Sequence, residues 1–485
     1  MKGRVVAGVL LVCCALLLPA CGSFQVNPPL ARYAAAEGYG FEPVPDEPDP
    51  RDEMFVILAF SGGGTRAAAL SFGVLEALRD TPLHWQGQQV SLLDEVDVIS
   101  SISGGSFPAA FYALHGAETF EAFPDKFLYR RVQSDLIRKA LNPLNWPRLA
   151  GRSYGRSDLA AEYYDENVFG GATYAQLIAA NRRPLVILNA TDLTTGAHFP
   201  FLQDQFDLLC SDLAGVTLGR AAAASSAFPG GLTPLTLKNY AGSCGYRQPR
   251  WVENALKDRG SRINARRTAR ADQRIAYAET VTDGVGQKAR PARPYIHLTD
   301  GGVADNLGLR EPLIAIANRN NSWSVLQRIE LKRVNKLVVV VVNAATNPET
   351  GRDQKAGVPR LFDTISTVAS IPLENYSFET LELLRSTVNA FNEEMRLISG
   401  CKALAAEKGP QCELDIPAPH QIDFFAIEVA FEYIRDDDER NWFKNLPTSF
   451  ELPREAIDRL RAVGRTILHE DKEYQRLVNG LQGGS

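Results

Sequence analysis

Seven consecutive apolar residues, Met54-Phe55-Val56-Ile57-Leu58-Ala59-Phe60, run into Ser61-Gly62-Gly63-Gly64-Thr65-Arg66. An alanine-rich segment follows with Leu70, Val74, Leu75 and Leu78 on helical spacing. A run of that length with no polar member reads as a strand buried on both faces, the glycines as a turn, and the rest as a helix. The pattern repeats: Val96-Asp97-Val98-Ile99-Ser100 leads through Ser101-Ile102-Ser103-Gly104-Gly105 into an apolar helix around Ala109 to Leu114. Further strands are expected at 185–188, 295–298 and 337–342, with helical stretches at 213–224 and 311–318 between them. Fully apolar strands alternating with helices predict an α/β fold, a mostly parallel sheet between helices.

The remainder of the chain is read around that core. Its 485 residues are 45% hydrophobic and 22% charged with a net charge of -5, which excludes a collagenous or disordered chain and a nucleic-acid binder relying on overall positive charge. Before the first strand, Lys2 and Arg4 precede an apolar run from Val5 to Ala20, shorter than a membrane span of about 20 residues but of signal-peptide length. It ends in Leu18-Pro19-Ala20-Cys21-Gly22, which resembles the lipobox of bacterial lipoproteins. That resemblance implies a signal peptide over 1–20, a diacylated Cys21 and attachment to a bacterial envelope membrane. Gly22 is not the aspartate that favours inner-membrane retention in some bacteria, so the outer membrane is the expected location. The alternative is a plain secretory signal in which Cys21 is incidental.

Residues 21–53, with Pro43, Pro45, Pro48 and Pro50 among acidic side chains, read as a stiff, solvated tether. The catalytic body is expected over 54–345. Between Arg247 and Arg293 it carries twelve Lys/Arg against five Asp/Glu, read as a solvated insertion loop or as a mobile patch meeting anionic headgroups. Residues 346–485 read as a helical carboxy-terminal extension. Cys210, Cys244, Cys401 and Cys412 would persist as disulfides in an exported chain, as 210/244 with 401/412 or in another of three pairings, or remain reduced.

The chemistry lies at the two strand ends. Ser101-Ile102-Ser103-Gly104-Gly105 approximates the G-x-S-x-G elbow, in which small neighbours let a tight turn push the central hydroxyl outward; Ser101 replaces the first glycine. Gly62, Gly63 and Gly64 offer unobstructed amides at a helix start, where an oxyanion can be held, with Arg66 adding positive charge. The spacing matches neither a phosphate loop nor a dinucleotide fingerprint. None of the six histidines sits in an evident catalytic context, and only His420 or His469 could follow a late acid in hydrolase order. Asp300, in Ile296-His297-Leu298-Thr299-Asp300-Gly301-Gly302, can act as the base if the fold brings it to Ser103; an Asp-Gly turn is the competing reading.

Together these segments resemble the patatin-like phospholipase family. Its G-G-G-x-R matches Gly62, Gly63, Gly64 and Arg66; its G-x-S-x-G matches at Ser103 and Gly105 and departs at Ser101; its D-G-[GA] matches Asp300, Gly301 and Gly302. Asn189-Ala190-Thr191-Asp192 and Ala224-Ser225-Ser226-Ala227-Phe228-Pro229-Gly230 also resemble it. The resemblance implies a patatin-like α/β/α sandwich, a Ser103–Asp300 dyad working without histidine, and phospholipid or lysophospholipid substrates. No metal or cofactor is expected, there being no C-x-x-C, no H-E-x-x-H and no paired ligand cluster. A non-lipid ester or thioester substrate, or a degenerate lipid-binding scaffold, are the other readings.

Overall fold

The computed structural model describes residues 27–310 apart from 36, 42–52, 86–87, 152, 258, 260–264 and 283–288, then 312, 334–347, scattered positions between 382 and 403, and 422–482. The elements that position the site are β1 (Met54–Phe60), α1 (Gly64–Arg79), β2 (Val96–Ile102), α2 (Ser106–His115), α3 (Val132–Leu141), α4 (Arg156–Tyr164) and β3 (Leu185–Asp192). They continue with α5 (Leu218–Ser225), β4 (Leu235–Lys238), α6 (Arg250–Lys257), α7 (Ala265–Ala278), β5 (Tyr295–Asp300), β6 (Lys336–Asn343), β7 (Asp423–Ala430), α8 (Arg454–Glu470) and α9 (Lys472–Gln482).

The main sheet has the order β7-β6-β1-β2-β3-β5-β4, with the short strand His198–Pro200 also paired to β3. From β7 to β3 every pair is parallel. All seven residues of β1 are buried, as are Leu337 to Val342 of β6, because helices cover both faces of the sheet. The chain leaves β1 toward β2 on one side and returns as β6 on the other, so the strand order reverses at β1. Crevices beyond the carboxyl ends of strands at such a point are where open α/β sheets bind ligands.

The acid-bearing strand β5 runs antiparallel to both β3 and β4. It enters across the carboxyl end of the sheet, pairing with β4 through Tyr295 to Leu298 and with β3 through its last three residues, with Asp300 opposite Ala190. Asn189, the residue before, pairs with Ile102 of β2. An antiparallel strand ending there delivers its terminal residue beside the turn that follows β2.

Regions outside the core differ from their sequence reading. Residues 27–41, expected within a solvated tether, are docked on the body: Asn27 exchanges hydrogen bonds with Ser211 and Lys238, and the Tyr39 hydroxyl donates to the Val186 carbonyl at 2.8 Å. Tyr39 is a buried core ring packed edge-on against Tyr174, so apolar burial outweighs the stiffness implied by the prolines farther on. Residues 42–52 and Cys21 lie outside the described residues. The basic insertion is folded in part. Helices α6 and α7 share a small core of Val252, Ala255 and Ala271, and Arg274 makes a two-pronged pair with Asp204 at 2.8 Å. So few apolar positions suffice because the insertion leans on the body rather than standing alone.

Cys210 and Cys244 are disulfide-bonded, with Cα atoms 5.4 Å apart. Cys401 is a free, exposed thiol, so the expected bridge to Cys412 is not made; Cys412 lies outside the described residues. The carboxy-terminal region is helical and also contributes β7, which extends the catalytic sheet beside β6. Helix α8 lies across α1, where glycines permit close approach: a Cβ on Gly73 would stand 2.2 Å from the Arg461 carbonyl oxygen. Among the described residues no helix is long and apolar enough to cross a membrane.

Candidate active site

Ser103 follows β2 at φ 48°, a left-handed conformation that a non-glycine residue adopts only when its surroundings enforce it. Two constraints do so. Its N–H donates to the Ser225 hydroxyl at 2.9 Å, and the next two residues press against backbone. A Cβ on Gly104 would lie 2.0 Å from the Gly64 carbonyl oxygen, and one on Gly105 would lie 2.7 Å from Phe60 Cβ. The nucleophile turn and the glycine loop therefore touch main chain to main chain. Ser101, where the elbow pattern has glycine, remains in β2 and turns its hydroxyl onto the Ile187 carbonyl at 3.2 Å. Its side chain thus stays clear of the turn.

Asp300 is buried, and Ser103 stands near enough for its hydroxyl to favour the ionised carboxylate. Its Oδ1 accepts the Gly302 N–H at 2.8 Å, its own N–H donates to the Ala227 carbonyl at 3.0 Å, and its carbonyl accepts the Thr191 hydroxyl at 2.8 Å. Burial pushes its pKa from 3.8 up to about 6, and the Gly302 and Ser103 donors keep it from rising further. Gly301 is required by space, since a Cβ there would stand 2.2 Å from the Asn189 carbonyl oxygen. A carboxylate poised near 6 is mostly ionised at neutral pH and still basic enough to take a proton.

The oxyanion loop divides into two roles. The Gly62 N–H is spent on the Asn306 carbonyl at 3.2 Å, which fixes the loop to the segment after Asp300. Gly63 and Gly64, at φ 138° and 61°, open α1, where no preceding carbonyl is in register to accept their amides. Those amides and the helix dipole are the donors available to an oxyanion. Arg66 lies alongside the loop, its Nη2 3.1 Å from where a Cβ on Gly63 would stand. Its guanidinium donates to the carbonyls of Ala344 at 3.0 Å and Leu446 at 2.7 Å and to the Thr448 hydroxyl at 3.1 Å. Beyond the charge expected of it, three acceptors converge on it from β6's end and from 446–448, and it fastens the loop to them.

Three residues quoted within family-like segments acquire roles that no spacing rule gives them. Ser225, the last residue of α5, accepts from Ser103 and donates to the Asn189 carbonyl at 2.7 Å, while Ala227 two residues on holds Asp300 and the Thr299 hydroxyl. One helix end therefore positions both groups. Thr191 also receives the Ala304 N–H at 3.1 Å, pinning the turn after the acid. Asp192 is used structurally, buried between Arg293 and the Tyr277 hydroxyl. His469 stacks on Tyr474 between α8 and α9, and His420 lies outside the described residues. Among the described residues no cluster of three or more His, Cys, Asp or Glu is arranged to hold a metal ion.

A left-handed serine elbow, an adjoining amide pair and a buried carboxylate on an α/β/α sheet are the arrangement expected of acyl hydrolases that carry a nucleophile at a strand–helix turn. The description "Patatin-like phospholipase" matches residues 58–313, more than half of the sequence, and the chain belongs to that family of lipid acyl hydrolases. No curated protein matches it. Among solved structures it is similar to human GIVD cytosolic phospholipase A2, at 14% identity over 61% of this chain and 46% of that one with a TM-score of 0.34. The same human enzyme in complex with methyl gamma-linolenyl fluorophosphonate and terbium chloride aligns at 13% identity over 91% of this chain and 61% of that one, TM-score 0.39. VipD from Legionella pneumophila aligns at 10% identity over 94% and 71%, TM-score 0.28. The chain spans less than two thirds of the length of the human chains it aligns with.

Proposed function

We propose that the protein hydrolyses ester bonds of phospholipids or lysophospholipids through a Ser103–Asp300 dyad, held to a bacterial envelope membrane by lipid on Cys21. The observation that carries the catalytic reading is the left-handed Ser103 at the strand end with a buried Asp300 beside it, fixed by the Gly302 and Ala227 backbone. Asp300 takes the Ser103 proton as the oxygen attacks the acyl carbonyl. The tetrahedral oxyanion lies against the Gly63 and Gly64 amides, each well-aimed donor contributing about 3 kcal/mol to the transition state. Collapse expels the alcohol portion, which takes the proton from Asp300, and leaves an acyl-Ser103. Asp300 then deprotonates a water that attacks this ester, and the fatty acid departs as Ser103 recovers its proton.

No cofactor enters these steps. The test is turnover of a defined set of phospholipids and lysophospholipids. Ser103→Ala and Asp300→Asn are each expected to lower kcat by at least about a thousandfold, while His469→Ala leaves it unchanged. Full activity in Ser103→Ala overturns the mechanism. Export and lipidation are tested separately: metabolic labelling with a radioactive fatty acid should be lost in Cys21→Ser, and persistent labelling refutes the anchor.

A further inference from the structure

Four of the most exposed large apolar side chains among the described residues lie within ten positions of one another. They are Ile137 at 52%, Leu141 at 67%, Leu144 at 83% and Trp146 at 56% exposure. They are displayed by ordered backbone. Helix α3 presents the first two, and a turn over Pro143–Asn145 presents the third, braced by the Asn142 side chain accepting the Leu144 N–H and by Asn145 donating to the Lys139 carbonyl. Side chains this exposed on a structured hairpin gain nothing in the isolated molecule and represent a surface waiting for a partner.

The charge around them indicates which partner. Residues 126–156 contain eight Lys/Arg and a single acid, Asp135. Arg131, Lys139 and Arg148 are paired with Glu451, Glu166 and Glu162 from outside the stretch and Arg138 with Asp135, yet Arg131 and Arg138 remain roughly three-quarters exposed. Lys126 and Arg156 are exposed as well. Aliphatic residues and a tryptophan ringed by cations match the two layers of an anionic bilayer surface, acyl chains for the first and headgroups for the second. A protein groove of equal apolarity would not call for so many cations at the rim.

The hairpin is also tied to the oxyanion loop. At the start of α3, Gln133 Oε1 accepts the Ser449 hydroxyl at 2.8 Å and the Phe450 N–H, while the Ser449 carbonyl accepts the Thr65 N–H at 2.8 Å in the first turn of α1. The backbone of Ser449 lies where a Cβ on Gly64 would be. From Gln133 to Leu141 is only about 12 Å along a helix.

We infer that the α3 hairpin, through Ile137, Leu141, Leu144 and Trp146, is the surface by which this protein seats on an anionic lipid bilayer, and that seating brings the Ser103 site to the membrane. It rests on the lipid-hydrolase reading for the choice of surface, and its test does not need turnover. Hydrogen exchange is followed over peptides covering 132–150 in the full chain carrying Ser103→Ala, with and without vesicles of phosphatidylglycerol and phosphatidylcholine. Protection of this stretch with phosphatidylglycerol vesicles, weaker with phosphatidylcholine alone, is expected. Leu144→Glu with Trp146→Glu should abolish it. In the active enzyme the same pair of changes should raise KM on vesicles about tenfold or more while kcat on a soluble short-chain ester stays within about twofold. Unprotected 132–150 amides in vesicle-bound protein overturn the inference. So does protection that appears without vesicles and grows with protein concentration, which makes the patch an interface between copies. Protection with no hydrolysis by the wild type refutes the proposed function and leaves the docking surface standing.

Discussion

Two parts of the chain lie outside the residues that define the family, and both fold back onto the catalytic body, with different consequences. The amino-terminal segment 27–41 packs against the end that holds the Cys210–Cys244 disulfide, where the Leu30 N–H reaches the Cys210 carbonyl and the Tyr33 N–H the Cys244 carbonyl. The carboxy-terminal segment 422–482 completes the sheet with β7, covers α1 with α8, and places 446–449 against the oxyanion loop. The first is a brace on the body. The second reaches the proposed site, because it holds the glycine loop. Proximity in sequence to the motifs is therefore no guide to which additions catalysis depends on.

That contrast can be broken experimentally, beginning where the effect is largest. Ending the chain at residue 421 should leave no soluble, active protein, since it uncovers the edge of β6 and the face of α1 and exposes a long run of buried side chains. Retention of a cooperative thermal transition by such a truncation would show the region to be an accessory. Arg66→Met removes the clamp without touching substrate. It should lower kcat by about a hundredfold with KM nearly unchanged, as expected when oxyanion donors lose their aim. A fall in melting temperature with kcat preserved would reduce Arg66 to a structural residue.

On the other side, Cys210→Ser with Cys244→Ser opens a loop of 34 residues and should cost roughly 3 to 4 kcal/mol of stability. At a temperature where the variant stays folded, its kcat should equal that of the wild type. A matching loss of kcat would mean that this end of the molecule also communicates with the site. Asp300→Asn tests the seam between the two. The folded pKa of about 6 lies above the unfolded 3.8, so the fold favours the protonated acid and the ionised carboxylate destabilises it. The penalty is absent below 3.8, grows through that window and is complete above 6, where the substitution should stabilise the inactive enzyme by roughly 3 kcal/mol. Chemical denaturation at pH 4 and pH 8 reads the difference, and wild-type kcat should fall as pH drops through about 6. The smallest effect is expected from Tyr39→Phe, about 2 kcal/mol for the two buried hydrogen bonds its hydroxyl makes with the Val186 carbonyl and N–H, again without change in kcat.

Much of the site is legible locally. Ser103 with Gly104 and Gly105, the three glycines after β1 and Asp300 with its two glycines are short patterns in which backbone crowding dictates small residues, so chemistry leaves a mark within five positions. The clamps leave none. Ser225, Ala227 and Thr191 act through hydrogen bonds to residues far along the chain, and a serine or threonine at a helix or strand end satisfies many local roles equally well. Arg66 shows the reverse hazard, since its place beside the glycines suggests a charge on the oxyanion while its acceptors come from residues 344 to 448.

From the sequence alone follow the buried parallel strands, the turns that end them and the residue types able to attack, accept a proton and hold an oxyanion, because apolar runs and glycines report on their own neighbourhoods. Only the tertiary structure decided that β5 enters antiparallel with Asp300 beside Ser103, that Arg66 ties its loop to residues 344 to 448, and that the carboxy-terminal residues complete the sheet. Strand direction and hydrogen-bond partners depend on contacts between segments separated by hundreds of residues, and those contacts exist only once the sheet has closed around them.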